Sequence, residues 1–434
     1  MDAAKLLIFG DGPVALSLAL GAQKLGFFSH LVRCAPSSEF SQKKDLEARD
    51  PRAEDPSAKD SKAEASRAED PKSPPPKNKN PKAKDPRAWA LTPGSLKFLR
   101  DLGLPLSHQA PLAAMEVWHA DGSGAALPGA LALKKEGVSL GAVLPNAPLR
   151  REFEAAIQAA KIPTTVIAAG EPRPNPLALC ADRAAALALI CDPAWAAALP
   201  PDHQPSRSRW DYDQIALTAP ITLDRPHGGV ARQVFLPSGP LAALPLPEPN
   251  RASLIWSLSK DRWQGIREQS NLPALVRACL GMDLTFDSND LSTFPLRADH
   301  ASTYLGPRFA LLGDAAHRIH PLAGQGLNLG LADVGALLDT LVQARSVGSD
   351  VGSPLSLRHF ERQRRPQNEA MRAATDSLKT LFGHDLGPIR LIRSLGLSAF
   401  DASPLKPKLL NWMSDPSPLS HALNHLTDAP AQAA

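Results

Sequence analysis

The densest run of residues able to do chemistry is Gly313-Asp314-Ala315-Ala316-His317-Arg318-Ile319-His320-Pro321-Leu322-Ala323-Gly324-Gln325-Gly326-Leu327-Asn328. A single carboxylate, Asp314, stands at a glycine turn, and a loop of small residues follows it. That small-residue loop brings backbone N–H groups to the start of a helix, the end at which the helix dipole is positive. That combination suits a ligand carrying acceptor atoms or negative charge.

A second candidate lies near the start of the chain, at Gly10-Asp11-Gly12-Pro13-Val14-Ala15. Here Gly10 permits a tight turn, Gly12 lets the backbone approach a pyrophosphate, and Ala15 is small enough for a close helix–strand contact. Pro13 removes one backbone donor, a loss tolerated at a helix start. The end of the next strand should carry an acid for the ribose hydroxyls. Arg33 stands there instead, and the nearest acid beyond it is Glu39.

The elements that must position these residues follow from pattern. Lys5 to Phe9 reads as a strand, Val14 to Leu25 as a helix and Phe28 to Cys34 as a second strand, a βαβ opening of dinucleotide-binding spacing. A strand from Phe309 to Leu312 delivers Asp314. Leu329, Leu331, Val334, Leu337, Leu338 and Leu341 then place an apolar stripe on one face of the helix that follows. Between these lie a helix through Leu96, Leu99 and Leu102 that stops at Gly103, a strand-like pair (Met115 to His119 and Gly141 to Leu144), and a helix from Asn146 to about Ala160. Gln214 to Thr222, Val230 to Phe235, Leu241 to Leu246 and Ala252 to Leu258 are short runs broken by Pro, Gly or Asn, and predict a mostly antiparallel sheet. Residues 36–86 repeat variants of Arg-Ala-Glu-Asp-Pro with almost no large aliphatic residue apart from Leu46, and predict a disordered, charged, Pro-rich insert. Arg87, at its exit, could reach a phosphate.

Composition bounds the alternatives. At 434 residues the chain can build one large or two ordinary cores. A formal net charge of +4 gives no support to a nucleic-acid partner. Cys34, Cys180, Cys191 and Cys279 show no metal-ligand or disulfide spacing, so no metal is expected and a reducing cytoplasm fits. The N-terminus has no signal-peptide pattern, and no apolar run is long enough to span a bilayer.

The run from Gly313 to Gly330 resembles, nearly residue for residue, the second flavin motif of the ubiquinone-biosynthesis hydroxylases, a branch of the class A FAD-dependent aromatic monooxygenases. The resemblance extends to Asp85-Pro86-Arg87-Ala88-Trp89-Ala90-Leu91, to Trp210-Asp211-Tyr212, to the segments Arg225 to Ala231 and Phe235 to Leu241, and to Phe360-Glu361-Arg362 with Arg365 and Asn368. It implies an α/β fold: a Rossmann-like FAD-binding domain with an inserted, mainly antiparallel β-sheet substrate domain and a C-terminal helical region. The boundaries expected are 1–35 for the first βαβ, 36–86 for the insert and 87–200 for the FAD-binding domain continued. The substrate-domain sheet takes 201–300, the second flavin motif 301–350 and the C-terminal helices 351–434.

The resemblance also implies roles. Asp314, beside Gly313, would accept from the ribityl chain of FAD. Backbone N–H groups at Gly324, Gln325 and Gly326 would face the N1/O2 edge of the flavin, with Asn328 beside them. Pro321 would line the flavin face where oxygen adds, Arg87 and Asn146 would be further flavin contacts, and Gly10, Gly12 and Ala15 would hold the ADP half. The reaction implied is hydroxylation of a polyprenylated phenol with O2 and NAD(P)H through a flavin hydroperoxide. His317 and His320 are weaker proton-shuttle candidates, and His227 reads as a structural loop histidine.

Two departures qualify the match. Pro193, in Leu189-Ile190-Cys191-Asp192-Pro193-Ala194-Trp195, stands where the family carries the glycine of an Asp-Gly motif, and Arg33 replaces the ribose acid. They predict weak FAD retention or slow reduction. They also motivate the alternative of a degenerate, non-catalytic homologue acting as a subunit of a ubiquinone-biosynthesis assembly. In the C-terminal segment, Leu378, Phe382, Ile389, Ile392 and Leu395 interleave with Lys379, Arg390 and Arg393, and Lys406 and Lys408 precede Leu409-Leu410. Core packing is the favoured reading of these amphipathic helices. A peripheral contact with the inner face of the plasma membrane is the other.

Overall fold

The computed structural model describes residues 4–35, 87–120, 126–134, 136–269, 272–286, 290–319, 324–383, 403–413, 415, 417 and 419–428. The insert expected over 36–86 lies outside the described residues, as do Pro321, His320 and the amphipathic stretch containing Ile389, Ile392 and Leu395.

The chain opens with β1 (Lys5–Phe9), α1 (Pro13–Lys24) and β2 (Phe28–Cys34). Next come β3 (Ala88–Leu91), α2 (Pro93–Asp101), β4 (Ala110–Pro111), β5 (Ala114–Ala120), β6 (Ala126–Lys134), β7 (Ala142–Pro145) and α3 (Asn146–Ala159). Then follow β8 (Thr164–Ile167), α4 (Pro176–Asp182), β9 (Leu187–Ile190) and α5 (Pro193–Ala196). The long strands β10 (Arg207–Leu223), β11 (Val230–Leu236), β12 (Gly239–Pro245) and β13 (Arg251–Ser259) precede α6 (Lys260–Gln269) and α7 (Leu272–Leu280). After these run β14 (Leu284–Thr285), β15 (Ser292–Ala301), β16 (Leu305–Gly306), β17 (Phe309–Leu311), β18 (His317–Arg318), α8 (Gly326–Ser346) and α9 (Pro354–Gly383). Helices Leu405–Met413 and His421–Asp428 end the described chain.

β1 and β9 are continuous apolar runs because both faces of their sheet are covered. They lie at the centre of the order β16-β17-β9-β1-β2-β8, with β1 parallel to both β2 and β9 and β17 parallel to β9. The second sheet is larger, with the order β18-β15-β10-β13-β12-β11-β5-β6 and β14 on the flank of β10. It is antiparallel apart from the β11–β5 pair. Leu217, Val234, Leu241, Leu254 and Trp256 pack one core against Ile266 of α6 and Val276 of α7. Ala231, Phe235 and Leu244 join a second core with Val143 of β7.

Three expectations change. The segments Met115–His119 and Gly141–Leu144 are both strands but do not pair: β5 belongs to the large sheet, whereas β7 pairs with β3 and β4. The large sheet therefore draws on residues before 201 as well as after it. And α8 is buried on nearly every side rather than along one stripe, because α1, α2, α9 and the His421–Asp428 helix surround it.

Candidate functional site

Three turns meet at one place, and Val14 is what they meet around. Gly10 has φ +145° and its N–H donates to Val32 O at 3.0 Å, so the first turn folds back on the end of β2. Its Cβ, were there one, would lie 3.2 Å from Ala15 Cβ, which explains the need for two small residues here. Val14, one residue before Ala15 in the first turn of α1, rests on both Gly313 and Gly330. A Cβ at Gly313 would come within 3.3 Å of the Val14 methyls, and one at Gly330 within 2.5 Å. The Gly10-Asp11-Gly12 turn, the Gly313-Asp314 turn and the first turns of α8 are thereby packed together. Gly12 is different: nothing lies within 4 Å of its missing Cβ, and it caps α1 in extended conformation with no side-chain bond. Its glycine answers to open space beside the uncapped amides of α1, the arrangement a pyrophosphate requires.

Asp314 projects from the second turn. Its side chain is open to solvent, yet the surrounding burial pushes the carboxyl above the usual carboxylate range, with Arg318 and His317 opposing. An exposed carboxylate at a turn can accept hydrogen bonds from a polyol.

The loop leading into α8 is tied to β3 by Asn328. Its Nδ2 donates to Ala90 O at 3.0 Å and to Gln325 Oε1 at 3.2 Å, and its Oδ1 accepts from Thr92 N–H at 3.1 Å. These bonds occupy both amide hydrogens and the carbonyl, so Asn328 positions the loop rather than offering its side chain to a ligand. Gly324 has φ +64° against Ala90, and Gly326, with no atom within 4 Å of its missing Cβ, starts α8 with uncapped amides. Gln325, half-buried, sits at the N-cap. Asn146 opens α3, is buried, accepts from Trp89 Nε1 at 2.8 Å and donates its backbone N–H to Arg87 O at 2.9 Å. Arg87, Trp89, Asn146 and the Gly324–Asn328 loop therefore share one wall. Pro321 lies outside the described residues.

The two departures have structural readings. Asp192 caps α5, accepting from Ala194 N–H at 2.7 Å, and Pro193 takes the first helical position, where a missing N–H costs little. Trp195 is fully buried and meets Phe9 at 5.1 Å between centroids. Arg33 contacts Glu154 Oε1 at 2.7 Å and Asp11 Oδ1 at 3.3 Å.

Sequence reading missed the polar hub behind the site. Asp333, fully buried in α8, accepts from Gly313 N–H at 3.0 Å, from Arg364 Nε at 2.8 Å and from Asn368 Nδ2 at 3.1 Å, and lies 2.5 Å from His317 Nε2. Burial alone would push its carboxyl up; His317 and Arg364 outweigh that and hold it well below the usual range. Asn368 continues to Tyr304 Oη at 3.3 Å, and Tyr304 to His300 Nε2 at 2.7 Å. With Nε2 committed to Asp333, His317 is structural here. So is His227, whose Nδ1 accepts from Gly229 N–H at 3.0 Å while Nε2–H donates to Leu246 O at 2.9 Å. The available signal for the hub was a lone acid inside an apolar stripe. Among the described residues no cluster of three His, Cys, Asp or Glu could hold a metal, and no helix is long and apolar enough to cross a membrane.

Residues 225–375 match the FAD binding domain family. The chain is 36% identical to the mitochondrial ubiquinone biosynthesis monooxygenase COQ6 of Mus musculus over 244 residues, 47% of this chain and 51% of that protein. It is 40% identical to the ubiquinone hydroxylase UbiL of Rhodospirillum rubrum over 200 residues, 45% and 46% of the two chains. With the 3-demethoxyubiquinol 3-hydroxylase of Escherichia coli K12 it shares 38% identity over 207 residues, 47% and 53%. The chain thus spans about half the length of the curated relatives it matches. The fold is that of p-nitrophenol 4-monooxygenase PnpA from Pseudomonas putida DLL-E4, at TM-score 0.65 and 13% identity over 97% of this chain and 98% of that one. PqsL of Pseudomonas aeruginosa gives TM-score 0.61 at 17% identity, over 92% and 100%. These findings bear out the resemblance to the ubiquinone-biosynthesis FAD-dependent hydroxylases and the expectation of FAD.

Proposed function

We propose that this chain is an FAD-dependent monooxygenase that hydroxylates the aromatic ring of a polyprenylated phenol in ubiquinone biosynthesis, with O2 and NAD(P)H as co-substrates. The observation that carries the reading is the packing of Val14 against Gly313 and Gly330. It holds the Gly10-Asp11-Gly12 turn, the Gly313-Asp314 turn and the first turns of α8 together, which supports a flavin dinucleotide lying along them. Bound FAD would supply the redox chemistry, accepting hydride equivalents and activating O2.

The protein's own residues bind, orient and exclude. Gly10 and Gly12 admit the pyrophosphate, with Ala15 underneath. Asp314 accepts from the ribityl hydroxyls, and Gly313 holds its turn through Asp333. The N–H groups at Gly324, Gln325 and Gly326 stabilise negative charge on the pyrimidine edge, a placement fixed by Asn328. Arg87 and Asn146 close the wall by β3. The roof is the large sheet: the inserted, mainly antiparallel substrate domain would orient the ring and keep water out. A polyprenyl tail lives in the bilayer, so the reading carries with it a peripheral contact at the membrane surface and proximity to other subunits of the biosynthetic assembly.

The test is reconstitution. Purified chain incubated with FAD should acquire the absorbance of bound flavin, oxidise NAD(P)H in the presence of a polyprenyl phenol, and place one atom from isotopically labelled O2 into the product. A stably folded chain that takes up no FAD would sink the proposal and favour the non-catalytic alternative.

A further inference from the structure

The acid that a dinucleotide-binding unit places at the end of its second strand, to accept from the adenosine ribose, is absent from β2; Arg33 occupies the position. The structure shows where a carboxylate returns. Arg33 and Arg150 alternate with Asp11 and Glu154 in a ring of two cations and two anions at the mouth of the first turn. Arg33 lies 2.7 Å from Glu154 and 3.3 Å from Asp11, and Arg150 lies 2.5 Å from Asp11 and 3.7 Å from Glu154. The ring carries no net charge, so Arg33 does not turn the position into a bare phosphate site.

The two acids differ in what they have left to give. Asp11 has both oxygens engaged, Oδ1 by Arg33 and Oδ2 by Arg150. On Glu154 the nearest contact of each arginine falls on Oε1, the one from Arg150 at 3.7 Å lying beyond hydrogen-bond distance, and the side chain is 28% exposed, much as Asp11 is at 29%. Arg33 is itself pinned beside the turn, because the Gly10 N–H donates to the carbonyl of its neighbour Val32. Asn146, by the flavin-side wall, and Glu154 stand on one helix, eight residues and about 12 Å of rise apart. α3 therefore runs from one half of the dinucleotide recess toward the other.

We propose that Glu154 supplies the carboxylate that accepts from the ribose hydroxyls of the adenosine half, with Arg33 as the positioning residue that holds it at the end of β2. The assignment rests on the FAD reading, and ADP binding tests it separately. In full-length protein, calorimetric titration of the Glu154→Gln variant should show FAD and ADP binding roughly tenfold weaker than in the wild type, since a bond to a charged acceptor is lost. Affinity for riboflavin 5′-phosphate, which lacks the adenosine, should be unchanged. The exchange Arg33→Glu with Glu154→Arg restores a carboxylate at the usual position beside a cation, and should return ADP affinity to within about threefold of wild type. ADP binding indifferent to Glu154→Gln overturns the proposal, as does an equal loss for riboflavin 5′-phosphate. An exchanged protein that melts like wild type but does not recover ADP binding overturns the part given to Arg33. A wild-type chain that binds ADP and neither flavin refutes the flavin reading, while the ADP data still decide the ribose assignment.

Discussion

Replacing Asp333 by asparagine changes one atom and should be among the most damaging single substitutions in the chain. Oδ1 accepts from Arg364 Nε and Asn368 Nδ2, and Oδ2 accepts from the Gly313 N–H and faces His317 Nε2. Whichever way the asparagine amide turns, its NH2 meets a donor from the backbone or from Arg364, in a place fully closed to solvent. Arg364 is 5% exposed, so removing the negative partner also leaves a buried guanidinium uncompensated. Breaking a buried pair from one side costs about 3–5 kcal/mol. Urea unfolding followed by two probes should show the unfolding free energy falling by that amount, through a lower midpoint at unchanged slope. Arg364→Met in the same background removes the orphaned charge, so the double variant should be more stable than the sum of the two losses by about 2 kcal/mol. FAD should also leave the Asp333→Asn protein faster, because the Gly313 turn that carries Asp314 loses its anchor. A loss below about 1 kcal/mol, or strict additivity with Arg364→Met, would refute the view of Asp333 as a charged hub.

Further outcomes follow from the same packing. His300 is held down to about 4 by burial first and by His317 next, against 6.5 unfolded. As pH falls from 6.5 toward 4 the unfolded chain therefore takes up a proton that the folded chain refuses, and stability drops by up to about 3 kcal/mol. His300→Gln should flatten the stability–pH curve in that window, and an unchanged slope would count against it. Gly330→Ala drives a methyl to 2.5 Å from Val14 and should cost about 1–3 kcal/mol, read as a lower melting temperature. Gly12→Ala meets nothing within 4 Å, so it should melt within the scatter of wild type while dinucleotide affinity falls; normal affinity would remove the pyrophosphate assignment. Asn328→Ala unties the α8 loop from β3 and leaves the Thr92 N–H without its side-chain acceptor, at a cost of about 1–3 kcal/mol by denaturant titration.

The parts of this site that could be read from sequence are those whose physics is local. A glycine with positive φ, a small residue beneath it and an apolar strand on either side lie within a few residues of one another, so Gly10, Ala15, Gly313 and Asp314 could be placed before the fold was known. The same locality explains the errors. Met115–His119 and Gly141–Leu144 have strand periodicity, but periodicity does not name a partner, and each strand found one in a different sheet. The apolar stripe of α8 predicted one covered face. Four other helices pack around it, and on such a helix a polar residue is a buried commitment rather than a solvent face. This is why Asp333 escaped notice: its donors are Gly313, Arg364 and Asn368, and the two side chains lie 31 and 35 residues further on, in the next helix. Arg33 shows the limit most clearly. Its identity announced that a ribose acid was missing, but the carboxylate beside it, Glu154, is 121 residues away on another element. A departure from a motif therefore marks where compensation must be sought, and only the packed structure can show whether a neighbouring element provides it.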